Sequence, residues 1–239
     1  MSSRQQEKER RRQERLEREQ AETKKASSRR RLQLVAGGVL AVAAVAAVIA
    51  AIASGGGNGG SSGGPKSGAD VAKVAIPAKK IANFDEAVKA SGCTFKTYPA
   101  EGREHLPSDT ATNDKYKTNP PTSGAHRPTP AEDGIYDPGN EPAKENFVHS
   151  LEHGRIEIQY KPGTPKKTVD QLQTLFNEQL KGVEGYHQLL FQNNTNMPYA
   201  VAATAWTHLL GCKTMNPQVF DAIRAFRERF VDKGPELIP

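Results

Sequence analysis

The chain has 239 residues and a formal net charge of +6. Residues 1–31 carry twelve Lys/Arg and six Glu, so the tail alone accounts for +6 and residues 32–239 sum to zero. A nucleic-acid-binding domain would show its own basic face, and the neutral remainder argues against one.

The tail, MSSRQQEKERRRQERLEREQ at its start, mixes signs at helical spacing, with Glu7 and Arg11, and Glu14 and Arg18, as i,i+4 pairs. It has almost no apolar face, so it reads as a solvated cytoplasmic tail held near anionic lipid headgroups by its charge. Leu34 to Ala53 is a run of 20 residues with no charged or polar side chain. As a helix it spans roughly 30 Å, the thickness of a bilayer core. Residues 32–53 are therefore expected to form one transmembrane helix. Arg29, Arg30 and Arg31 abut the run and no Lys or Arg follows until Lys66. The positive-inside rule puts the N-terminus in the cytoplasm and the rest outside the cell membrane. The alternative is a signal peptide cleaved after Ala53, since Ala51-Ile52-Ala53 has the small-x-small form. The 33 residues before the run are long for a leader. Either route leaves the remainder extracytoplasmic. Ser54 to Gly68, SGGGNGGSSGGPKSG, reads as a flexible tether with an r.m.s. span of roughly 20 Å. Residues 54–80 are assigned to the linker and 81–239 to one globular domain, large enough to bury a real core.

Within that domain Asn83-Phe-Asp-Glu86 marks a helix start and Gly92 its end. Residues 97–146 are rich in Pro, Gly, Asp, Thr and Asn and show no sustained period; they read as a long ordered loop region, which in a compact domain is usually functional. Arg155 to Tyr160 alternates, with Ile156, Ile158 and Tyr160 on one face of a strand. Thr168-x-x-Gln171 has the form of a capping box, with Val169, Leu172, Leu175, Phe176 and Leu180 following at helical spacing. Tyr186–Gln192 and Ala200–Trp206 are strand candidates. Asn216-Pro217 caps a last helix, on which Val219, Ile223, Phe226 and Phe230 repeat at 4-3-4 spacing. The order implies an α+β domain, a mostly antiparallel sheet with helices on one side.

Cys93 and Cys212 are the two cysteines. An even pair in an extracytoplasmic domain favours a disulfide, with free thiols or thiolate metal ligands as the alternatives.

The chemistry concentrates between residues 105 and 153, where four of the six histidines lie: His105, His126, His149 and His153. His149 and His153 are four apart, so a helical turn puts two imidazoles on one face, where they suit one metal ion. Glu152 then stands as a further ligand, an acceptor for a His N–H, or a general base. His126 ends a stiff loop, with Pro120-Pro121 fixing the approach and Gly124 permitting the turn. HSLEH also matches H-x-x-E-H, but that zinc-peptidase motif needs a long helix and a further acidic ligand, and neither is evident. Ser123 and Ser150 lack the G-x-S-x-G context of a hydrolase nucleophile. His187 and His208 read as structural or surface residues. The plain alternative for the trio is a structural polar cluster that braces the loop.

NPPTSGAH at 119–126, Gly134-Ile-Tyr136, VHSLEHGRIEIQY at 148–160 and ATAW at 203–206 together resemble the domain of unknown function 3105 family, mostly bacterial proteins with an N-terminal anchor and one outer domain. The resemblance covers about residues 85–236. It implies the topology argued above and supplies no reaction. It places the family's motif histidines at His126, His149 and His153, with Glu152 beside them, and two flanking cysteines fit it.

Three functions compete. The first is an extracytoplasmic domain that binds Zn or Cu through His126, His149, His153 and Glu152. The second is a metal-dependent enzyme on the same site, with Glu152 as base and an open position for water. The third is a non-catalytic envelope interaction module. The sequence names no protein partner for any of them.

Overall fold

The computed structural model describes residues 64–68, 71, 73–236 and 238. The basic tail at 1–31, the transmembrane helix expected at 32–53 and residues 54–63 of the expected linker lie outside the described residues. Among the described residues no helix is long and apolar enough to cross a membrane. The later part of the linker is extended and bound to the domain. Lys66 exchanges main-chain hydrogen bonds of 2.8 and 2.9 Å with Ile135, and the Lys80 N–H donates to Asp221 Oδ1 at 3.3 Å. Composition conceals such contacts because they use main-chain groups that almost every residue carries.

The elements in chain order are α1 (Phe84–Ser91), β1 (Thr94–Thr97), β2 (Gly134–Ile135), α2 (Lys144–Glu152), β3 (Ile156–Tyr160), α3 (Lys166–Phe176), β4 (Gln188–Gln192), β5 (Val201–Ala205), β6 (His208–Cys212) and α4 (Pro217–Phe230). Asn83 caps α1 by accepting from the Glu86 N–H, and Asn216 caps α4 by accepting from Gln218 and Val219, as the sequence predicts. The capping box at Thr168 and Gln171 does not form. Pro165, at φ −56°, starts α3 earlier, so Thr168 lies inside the first turn and Gln171 reaches out to the Ala75 carbonyl.

The six strands form one mixed sheet in the order β1-β6-β5-β3-β4-β2. The β1–β6, β6–β5 and β5–β3 pairings are antiparallel; β3–β4 and β4–β2 are parallel. The parallel β3–β4 pair needs a crossover, and α3 supplies it. The domain is α+β with a mostly antiparallel sheet. The helices are not confined to one side. Ile156, Ile158, Leu190, Val201, Ala203 and Leu210 pack against α1, α3 and α4 on one face. On the other, Leu189 and Phe191 pack with Phe147, Val148 and Leu151 of α2. β3 is accordingly buried on both faces rather than half-exposed. Its Glu157 accepts from Thr204 Oγ1 at 2.7 Å and Gln159 Nε2 at 2.9 Å, and complete burial drives its carboxyl pKa well upward, toward the neutral acid.

Cys93 and Cys212 form a disulfide across a sequence separation of 119. They flank the β1–β6 pairing, in which Thr94 is opposite Gly211. Closing so long a loop constrains the unfolded chain. The Cys93→Ser/Cys212→Ser variant is expected to lose about 2–5 kcal/mol of unfolding free energy in urea titrations of the oxidised protein. A loss below about 1 kcal/mol would contradict this role.

Candidate metal centre

The site is built on the sheet face that α2 covers. This helix buries two sides at once. Phe147, Val148 and Leu151 face the sheet. Glu145, His149 and Glu152, spaced four and three residues apart, fall along another side and are also buried. The long loop covers that second side. Asn113 N–H donates to Glu145 Oε1 at 2.9 Å, and Arg127 N–H donates to the Glu145 carbonyl at 3.2 Å. The loop is ordered by its own bonds: Tyr116 Oη and Asn113 Nδ2 both donate to the Ala125 carbonyl, and Glu101 N–H donates to Ser123 Oγ. The Ser150 hydroxyl donates to the Ala131 carbonyl. Both serines are thus braces, with no sign of an activated nucleophile.

Four side chains converge between loop and helix. His105, His126, His149 and Glu152 each offer one ligand atom, and these atoms all lie within 4.8 Å of one another. His126 and His105 are brought together by a short parallel bridge, with Leu106 N–H donating to the His126 carbonyl and His126 N–H to the Glu104 carbonyl. The rings of His105, His126 and His149 stand 4.7 to 5.1 Å apart, centre to centre. Trp206 presents an edge-on contact to His126 and walls the site from the β5–β6 turn.

The tautomers follow from the main chain. His126 Nδ1 lies 2.8 Å from the Gly124 carbonyl, and His149 Nδ1 lies 2.7 Å from the Arg127 carbonyl. A carbonyl only accepts, so in both rings Nδ1 carries the hydrogen and Nε2 of the neutral ring is a bare lone pair. His126 Nε2 is fully buried and makes no hydrogen bond, although Glu152 Oε2 is 3.0 Å away. Two acceptors held this close repel unless a metal ion, or a proton as in an imidazolium–carboxylate pair, stands between them. Roughly 3 Å is also the spacing of neighbouring ligands on an ion with bonds of about 2.0–2.1 Å. The other oxygen of Glu152 accepts from Arg103 Nε at 2.6 Å.

His153 stands beside the four rather than among them. It falls outside the set of four and joins a second set with His149 and Glu236. His153 Nε2 lies 2.9 Å from His149 Nε2. His105, Arg103 and Glu236 are not singled out by motif spacing: His105 lies twenty-one residues before His126, and Glu236 lies beyond the last helix. His187 pairs with Asp232 at 2.6 Å, and His208 bonds the Trp206 carbonyl, both structural roles.

Burial first, and then its histidine neighbours, lower the pKa of His149 to about 4 against one bond that raises it, from the Arg127 carbonyl. The pKa of His153 is lowered too, by burial and then by the Arg155 charge. Both therefore stay neutral at physiological pH, the form in which imidazole binds metal.

A family model described as "Protein of unknown function (DUF3105)" matches residues 108–237. The match takes in His126, His149, Glu152, His153 and Glu236 and begins after His105. Comparisons with curated proteins and with solved structures find no match.

The lowered pKa values fix how the metal-free protein responds to acid. Between about pH 6.5 and 4, unfolded His149 binds a proton that folded His149 refuses, so the unfolded state gains protons and stability falls as pH falls. The melting temperature of the metal-free protein is expected to drop across this window. In His149→Asn, whose amide can still donate to the Arg127 carbonyl, the drop should be shallower. Equal slopes for the two proteins would contradict the assignment.

Proposed function

Because the chain belongs to the domain of unknown function 3105 family, whose description names no reaction, we propose its function from the site itself: an extracytoplasmic domain that binds a transition-metal ion through His105, His126, His149 and Glu152. The observation that carries this is the buried, unpartnered Nε2 of His126 facing the Glu152 carboxylate. A metal ion between them would satisfy both atoms; a shared proton, as in an imidazolium–carboxylate pair, is the structural alternative, and metal analysis separates the two. Three imidazoles and one carboxylate suit Zn(II) or Cu(II), and the absence of thiolate or thioether donors from the set disfavours Cu(I). The Nδ1–H groups of His126 and His149 each donate to a carbonyl, the arrangement that fixes the tautomer and orientation of metal-ligating imidazoles. Such rings need no reordering to take up the ion.

The address of the domain belongs to the same proposal. The apolar run at 34–53, with Arg29–Arg31 before it, anchors the chain in the cell membrane with the N-terminus in the cytoplasm. The Gly/Ser-rich tether then holds the domain outside. A Cys93–Cys212 disulfide suits an oxidising compartment.

Elemental analysis of the full chain, purified in detergent and dialysed against Zn(II) or Cu(II), is expected to find about one equivalent of metal per chain. His126→Ala and Glu152→Gln should each remove most of it while the far-ultraviolet circular dichroism is kept. Metal content that neither variant changes would overturn the proposal.

A further inference from the structure

Resting on the metal site just described, we propose that an ion bound at His149 shifts the hydrogen bond of His153 from His149 to Glu236 and so tightens the C-terminal strap, Asp232–Glu236, over the site. Site occupancy is thereby reported at the end of the chain.

The first half follows from counting lone pairs. His149 Nδ1 donates to the Arg127 carbonyl, so its Nε2 can only accept. Its neighbour at 2.9 Å, His153 Nε2, must then be the donor. That bond occupies the lone pair an ion needs. An imidazole nitrogen has one such pair, so an ion on His149 leaves the His153 N–H without its acceptor. His153 is buried, and a buried donor left unpaired is disfavoured until it finds another partner.

A replacement stands next to it. Glu236 Oε2 is 3.7 Å from the same nitrogen, just beyond hydrogen-bonding distance. Its side chain is 45% exposed, so it is free to move inward. An ion held by the four-ligand set does not include His153, so the response of His153 to that ion is a change of hydrogen-bond partner.

The second half follows from how the strap is held. Asp232 N–H donates to the Gly154 carbonyl at 2.9 Å, and Glu236 N–H donates to the Glu152 carbonyl at 3.1 Å. The strap thus already rests on the two residues that flank His153. Gly234 passes so near the Glu152 carbonyl that a Cβ there would collide with it. The root is fixed, since the Asp232 carboxylate is bound by His187 Nδ1 at 2.6 Å and Lys181 Nζ at 2.5 Å. Beyond Glu236, the Arg155 guanidinium donates to the Ile238 carbonyl at 2.6 Å, so the movement required is that of the Glu236 side chain. A His153–Glu236 hydrogen bond adds a side-chain clamp beside the main-chain bond from Glu236 to Glu152.

The test is hydrogen–deuterium exchange of the full chain in detergent, with and without Zn(II), with zinc content measured on the same samples. In the wild type, Zn(II) should slow exchange in the peptide covering the strap by about fivefold, the factor that one net hydrogen bond supplies. Glu236→Ala should keep its zinc, with affinity lowered by roughly tenfold, and lose the slowing. Glu236→Gln keeps an acceptor oxygen and should recover it. Zinc uptake with no slowing in the wild type, or equal slowing in Glu236→Ala, overturns the exchange of partners and leaves the metal site standing. Loss of zinc from Glu236→Ala overturns it in favour of an ion held by His149, His153 and Glu236. A wild type that takes up no zinc removes the metal site and this inference together.

Discussion

Two hydrogen bonds to the main chain, from His126 Nδ1 to the Gly124 carbonyl and from His149 Nδ1 to the Arg127 carbonyl, set the chemistry of the buried site. They fix both tautomers, leaving His126 Nε2 to face Glu152 and His149 Nε2 to face His153. Everything else in the region serves to keep those carbonyls where they are. Arg127 is held by the Ala111 carbonyl, by Asn146 and by the main chain of Glu145, so one residue ties the loop to α2 at the point where His149 needs its acceptor. Gly124 is followed by Ala125, whose carbonyl accepts from both Asn113 and Tyr116. The ligands are therefore positioned by a loop that is held by its own hydrogen bonds and by its bonds to α2.

The fold explains why such a loop can be afforded here. The sheet has its main apolar core on the face covered by α1, α3 and α4, and the Cys93–Cys212 bridge ties β1 to β6 beside it. The opposite face carries a smaller apolar patch around Phe147, Phe191 and Trp206 and a buried polar layer that includes Glu157, Gln159 and Thr204. Burying polar groups is tolerable only when partners are supplied. Glu157 Oε2 meets Thr204 and Gln159, and Glu145 Oε1 meets the Asn113 amide, while Glu157 Oε1 is left without a hydrogen bond. His126 Nε2 lies 3.0 Å from Glu152 Oε2 without a hydrogen bond, and the proposed metal site rests on this contact.

Much of this was legible in the residues. Asn83 and Asn216 act as caps because their side-chain oxygens accept from N–H groups at the helix start, a local chemistry that spacing reveals. β3 was readable because Ile156, Ile158 and Tyr160 share a face, and the family was readable from PPTSGAH and HSLEHG. α2 was not readable as a full helix, since its nine residues bury charged and imidazole side chains as well as apolar ones, so no hydrophobic stripe stands out. β1 and β6 escaped for opposite reasons: TFKT is an edge strand with little burial, and HLLGC is buried on both faces, so neither alternates. His126, His149 and Glu152 were brought together as their motifs suggested. His105 and Glu236 could not be paired with them from spacing, because a β-bridge and a C-terminal strap, both long-range features, bring them in.

The most direct measurement of the central claim is X-ray absorption of the full chain loaded with Zn(II). The account predicts a shell of N/O ligands at about 2.0–2.1 Å with the outer-shell scattering of three imidazoles. His105→Ala should remove one of the three. A first shell of water-like oxygens without imidazole scattering would show that the ion is not held by these rings, and would contradict the assignment of this cluster as a metal centre.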